Sequence, residues 1–102
     1  MSFRVMMKVS VPNEYANAAI REGTFGRTMH RVLEEIKPEA AYFCEDNGLR
    51  TAFLFVNVNH VHEIPKIAEP AFLGLNAKVE MRIAMNGEDL AKANLETIGK
   101  SW

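Results

Sequence analysis

Ala40-Ala41-Tyr42-Phe43-Cys44 and Thr51-Ala52-Phe53-Leu54-Phe55-Val56-Asn57-Val58 flank Glu45-Asp46-Asn47-Gly48-Leu49-Arg50, and this stretch reads as a β-hairpin. Asn-Gly is the strongest short hairpin signal, because both central residues of a type I′ turn need positive φ. Taking Asn47 and Gly48 as the turn sets the register by counting. Asp46 then faces Leu49, Glu45 faces Arg50, Cys44 faces Thr51, Phe43 faces Ala52, and Tyr42 faces Phe53. The pairs are chemically coherent: Glu45 and Arg50 are opposite charges across the ladder, and Tyr42 and Phe53 are an aromatic pair on one face.

Upstream, residues 3 to 11 alternate, with Phe3, Val5, Met7, Val9 and Val11 on one side and Arg4, Met6, Lys8 and Ser10 on the other, which predicts a strand with one buried face. Pro12 and Asn13 stop it, and Asn13 is expected to cap the helix that follows. Phe25, Met29, Val32, Leu33 and Ile36 make a helical stripe. Ile20 is about half a turn out of phase with that stripe, so a kink or break is expected near Gly23 and Gly26. Pro38 ends the helix.

Downstream, Ile64, Ile67, Ala68, Ala71, Phe72 and Leu75 predict an amphipathic helix over residues 61 to 75. Pro65 is tolerable in its first turn, whereas Pro70 predicts a kink or a division into two pieces. Residues 78 to 85 alternate as a last strand. Asn86 with Asp89 resembles a cap opening a final short helix with the stripe Ala91, Asn94, Leu95 and Ile98, ended by Gly99.

The order β-α-β-β-α-β with one tight central hairpin predicts a single α+β domain over residues 1–102, of ferredoxin-like topology. It has a four-stranded antiparallel sheet, helices on one face, and an extra C-terminal helix. The helix side is expected to hold Val5, Met7, Val9, Ala41, Phe43, Ala52, Leu54, Val56, Val79, Met81 and Ile83. The free face receives Arg4, Met6, Lys8, Tyr42, Cys44, Thr51, Phe53, Phe55, Asn57, Lys78, Glu80 and Arg82. Met6, Tyr42, Phe53 and Phe55 form an apolar patch there. Such a patch on a small domain marks an interaction surface, and the expected cover is the same face of a second copy, giving a symmetric homodimer.

Composition narrows the function classes. The chain has 102 residues, 48% hydrophobic and 25% charged, as an ordinary globular domain has. Twelve basic against thirteen acidic residues leave a net charge of −1, without the basic field that neutralises a phosphate backbone, so nucleic acid is not the expected partner. Thr51 to Val56 resembles the third-strand motif of RNA-recognition domains, but Ala52 stands where a glycine is expected and Val58 where the last aromatic is. Arg4 and Lys8 interrupt the first apolar run, so neither a signal peptide nor a membrane span is read there. With a single cysteine, Cys44, a cytoplasmic protein is expected.

Several segments carry a resemblance: Pro38-Glu39-Ala40-Ala41-Tyr42-Phe43, Gly48-Leu49-Arg50-Thr51, Ile64-Pro65-Lys66-Ile67-Ala68-Glu69-Pro70, Leu75-Asn76-Ala77-Lys78-Val79-Glu80 and Glu88-Asp89-Leu90. Together they cover nearly the whole chain, which resembles an uncharacterised family of the dimeric α+β barrel superfamily. The resemblance implies two sheets closing around a cavity and carries over no catalytic residue, and no cofactor is expected.

The candidate ligand-binding residues are Lys8, Tyr42, Phe53, Phe55, Glu80 and Arg82. Cations partly desolvated between two sheets would hold a small anionic molecule, against apolar walls. The leading expectation is a small homodimeric binding or accessory domain. The alternative is a cofactor-independent isomerase or monooxygenase-like enzyme acting on a small organic acid, with Arg82 and Lys8 holding the anion and Tyr42 or a loop histidine moving protons. His60 and His62 are weak metal candidates, because no third ligand at metal spacing accompanies them. Cys44 lacks a neighbouring histidine or second cysteine, so it has no chemistry in view.

Overall fold

The computed structural model describes residues 2–102. Its elements are β1 (Phe3–Val11), α1 (Asn13–Glu22), α2 (Phe25–Ile36), β2 (Ala40–Asp46), β3 (Leu49–Val58), a 3-10 turn (Val61–Glu63), α3 (Ile64–Leu75), β4 (Lys78–Ala84), α4 (Gly87–Lys92) and α5 (Leu95–Gly99). The four strands form one antiparallel sheet in the order β2-β3-β1-β4.

The hairpin register is the one that counting from Asn47-Gly48 requires: Tyr42 faces Phe53, Cys44 faces Thr51 and Asp46 faces Leu49. Asn47 and Gly48 have φ of 53° and 79°, the positive values a type I′ turn needs. The two central strands, β1 and β3, supply the buried layer of Val5, Met7, Val9, Val11, Ala52, Leu54, Val56 and Val58. Helices cover it with Ala16, Val32, Ile36, Ile67, Ala71 and Leu75. Each fully buried Val, Leu or Met side chain contributes about 1.5–3 kcal/mol of apolar transfer, against which the ordering of the chain must be set. At Gly74 a Cβ would lie 3.0 Å from Val32 Cγ2, so the missing side chain lets α3 sit close on α2. The Tyr15 hydroxyl donates to the Gly74 carbonyl and ties α1 to the same spot.

Several local expectations need correction. Asn13 does not cap α1: Pro12 occupies that position, and the Asn13 side-chain amide donates to the Gly48 carbonyl, 3.1 Å away. The break between the first two helices is real and falls at Gly23, which closes α1 in the left-handed conformation. Pro70 does not divide α3, which runs from Ile64 to Leu75 with the proline inside it. Its missing N–H and its ring oppose the helix, and burial of Ile67, Ala68, Ala71 and Leu75 around it outweighs that cost. The first residues of the expected helix, Val61–Glu63, form the 3-10 turn instead. The final helix is two helices, parted at Asn94, where φ is 52°.

Phe43 and Ile83 point toward the helix side yet are 56% and 75% exposed. They lie on β2 and β4, the edge strands, which the helix layer covers only in part: Ala41, Val79 and Met81 of the same strands still pack against the core. Glu45 and Arg50 face each other as counted but seek other partners: Glu45 accepts from the Gly48 N–H and Arg50 donates to Asn17. No helix among the described residues is long and apolar enough to cross a membrane.

Candidate functional site

The even-numbered residues of β1, β2 and β4 and the odd-numbered residues of β3 share the sheet face away from the helices. Strand pairing arranges them in rows across all four strands. One row runs Tyr42, Phe53, Lys8, Glu80, and the next runs Ala40, Phe55, Met6, Arg82. All six candidate ligand residues therefore lie in two adjacent rows. Phe53, Phe55, Met6, Lys8 and Glu80 are half-buried by one another, and Tyr42 at the edge is 65% exposed.

The charges on this face fall into two groups. Lys8 binds Asp46 closely and has Glu80 3.8 Å away. The hydrogen bond to Asp46 is the main cause that raises its ammonium pKa above the ordinary lysine value, with burial acting against it. By register, the Lys8–Asp46 link crosses the Ser10–Thr51 row, and both of those residues are buried beneath it. Arg4 is held at 2.9 Å by Glu39 and at 3.1 Å by Asp89. Arg82 and Lys78, in contrast, form no ion pair among the described residues, and both are exposed. Of the cations on this face, Arg82 is the one that stands free beside the apolar patch.

Asp46 and Glu39 were not anticipated as partners of the basic residues. The parity of Asp46, matching Tyr42 and Cys44, was the available signal. Glu39 precedes its strand, so no alternation places it. Asp89 reaches Arg4 across 85 residues of sequence, which local patterning does not encode.

Asp89 also closes a reciprocal cap: the Asn86 N–H donates to its carboxylate, and its own N–H donates to the Asn86 side chain at 2.8 Å. The Asn86 hydrogen bond, followed by Arg4, holds the Asp89 carboxyl below the ordinary aspartate value. A carboxyl with a depressed folded pKa contributes stability above its unfolded value and loses it as pH falls through the folded one. The first turn of α4 is thus expected to persist through the ordinary aspartate range and to fray only at more acid pH. An NMR titration of the Asp89 carboxyl and the Asn86 amide checks this, and titration at or above the ordinary value would contradict it.

The loop histidines are brought together without a ligand set. The rings of His60 and His62 stack with centroids 5.4 Å apart, while Glu63 accepts from the His60 N–H at 3.0 Å and so caps the 3-10 turn. No group of three or more His, Cys, Asp or Glu side chains suited to a metal occurs among the described residues. Cys44 is exposed. A cavity of about 830 Å³ lies between α2 and α3, lined by both signs of charge, including Arg31, Lys66, Glu35 and Glu69. A smaller, more apolar one of about 420 Å³ lies at the β2 margin against Phe25, Met29 and Phe43. Neither is lined by Lys8, Phe53, Phe55 or Arg82.

Fold and face together define a class: an α+β domain with one antiparallel sheet, helices layered on one side of it, and an open face carrying an apolar patch beside a free guanidinium. Comparison of the chain with protein-family models, curated proteins and solved structures finds no match.

Proposed function

We propose that this protein is a homodimeric binding domain of ferredoxin-like topology, whose two open sheet faces close on each other around a small anionic molecule. The strand order, read from the other edge as β4-β1-β3-β2, supports the ferredoxin-like reading. The dimeric α+β barrel resemblance points to the same closure. The observation that carries the ligand reading is Arg82. Its neighbours Arg4 and Lys8 are already neutralised by Glu39, Asp89 and Asp46. A guanidinium without a carboxylate partner, next to Met6 and the Phe55 row, is the group that a carboxylate would pair with once a second sheet excludes water.

Two measurements test the reading. Mass in solution at micromolar concentration is expected to give a dimer, and a strict monomer would overturn it. In a thermal-shift screen of small mono- and dicarboxylates, at least one is expected to raise the midpoint. A ligand at a hundredfold excess over its Kd adds about 2.7 kcal/mol. Arg82→Gln is expected to remove that rise while leaving the unliganded midpoint nearly unchanged, because Arg82 is exposed and makes no ion pair among the described residues. No rise with any carboxylate, or an equal rise in the variant, would overturn the site.

A further inference from the structure

The segment from Met85 to Trp102 makes almost no use of the body it is attached to. Every residue in it is exposed, including Met85, Leu90, Leu95, Ile98 and Trp102. The shape of the molecule records the same fact. Its radius of gyration is 16.6 Å, where a compact chain of this length would have about 13 Å. The longest dimension is 59 Å, roughly twice the 30 Å that a nine-residue strand spans. Residues 85–102 are therefore an arm, with α4 and α5 carried outside the globule.

The arm is anchored on the side where the open face lies. Its one side-chain tie to the body among the described residues is Arg4 to Asp89, and Arg4 belongs to that face. The arm continues from β4, an edge strand, so it leaves at the rim of the open sheet. A second sheet seated on that face would come within its reach.

We infer that the arm of each copy lies against the body of the other, so that α4 and α5 form an exchanged clasp around the sheet-to-sheet dimer. The partner is a second copy of this chain, an inference that rests on the dimer proposed above. Three observations carry it. First, the arm and the open face are both unpartnered and meet at one rim, and a two-fold axis satisfies both at once by repeating the same arm-to-body contact. Second, the area fits. The exposed apolar side chains of the arm amount to several hundred Å² per copy, on the order of the ~800 Å² that each partner of a standard interface buries. Third, the charges match. The arm carries Glu88 and Glu96, and Lys78 lies at the end of the edge strand β4; none of the three forms an ion pair among the described residues.

Trp102 is the only tryptophan and is 100% exposed, so it reports on the arm without any substitution. At concentrations where the full chain is dimeric, its emission is expected to be blue-shifted and shielded from acrylamide, and dilution to monomer should return it to the spectrum of a water-exposed indole. Leu95→Asp with Ile98→Asp, both exposed within one copy, is expected to abolish the shift and to weaken the dimer at least tenfold. If the dimer forms but Trp102 stays fully quenchable, the clasp is overturned and the sheet-to-sheet dimer stands. If the full chain is monomeric with an exposed Trp102, both fail.

Discussion

A Phe55→Asp protein is expected to elute and sediment as a folded monomer, with dimerisation weakened by about 30-fold or more. Phe55 lies in the middle of the open face, between Ala40 on β2 and Met6 on β1. In the dimer proposed above it would become a central, desolvated aromatic. Truncating such a residue commonly costs 2 kcal/mol or more, which is the 30-fold figure, and burying a carboxylate in its place adds to that. Within one copy the substitution is mild. Phe55 is only half-buried there, so the cost is about 1 kcal/mol, mostly from lost strand preference. Circular dichroism and denaturant titration check that the monomer is intact. If the variant remains dimeric at low micromolar concentration, the interface lies elsewhere on the molecule.

The adjacent substitution should do the opposite. Leu54→Ala is expected to lower the unfolding free energy by about 2–5 kcal/mol. Leu54 is one of the largest fully buried side chains, opposite Met7 on β1 and Ala41 on β2. Deleting its branched end leaves a cavity walled by a sheet on one side and helices on the other, which relax only partly. Against a total stability of about 5–15 kcal/mol, that loss is large. It should appear as a lower urea midpoint with an unchanged slope. Any dimer that still forms from the folded fraction should keep its affinity, because Leu54 has no part in the open face. A loss under 1 kcal/mol would mean that β3 is not packed as described. Two consecutive residues of one strand thus separate folding from association.

Alternation and turn chemistry made the sheet legible. Period-two patterns in β1 and β4, and one Asn-Gly turn, were enough to place Lys8, Tyr42, Phe53, Phe55, Glu80 and Arg82 on one face; their two adjacent rows follow from how β1 pairs with β3 and β4, which alternation does not encode. What was illegible depends on distance in three dimensions. Phe43 and Ile83 have the right parity for the core, but parity does not tell how far a helix layer extends over an edge strand. Pro70 carries a strong local signal against a continuous helix, and tertiary burial overrides it. Within the site, which cation stays free was hidden. Lys8, Arg4 and Arg82 look alike in sequence, and only the placement of Asp46, Glu39 and Asp89 distinguishes them. The arm was hidden for a related reason, since an apolar stripe on a short helix ordinarily means packing against the same chain.

The central place of β1 has a consequence for how the chain comes to be folded. Met6 pairs with Phe55 on one side and with Arg82 on the other. The first strand made therefore waits for partners roughly 50 and 75 residues later, and such distant closures slow the search for the native state. Of the four strands β1 emerges first from the ribosome, and it must remain unpaired on one edge until β3 has been synthesised and on the other until β4 has. The β2–β3 hairpin is the one part of the sheet that can assemble locally, within microseconds of its own emergence. It offers Leu54, Val56 and Val58 as a ready surface for the strand that has been waiting.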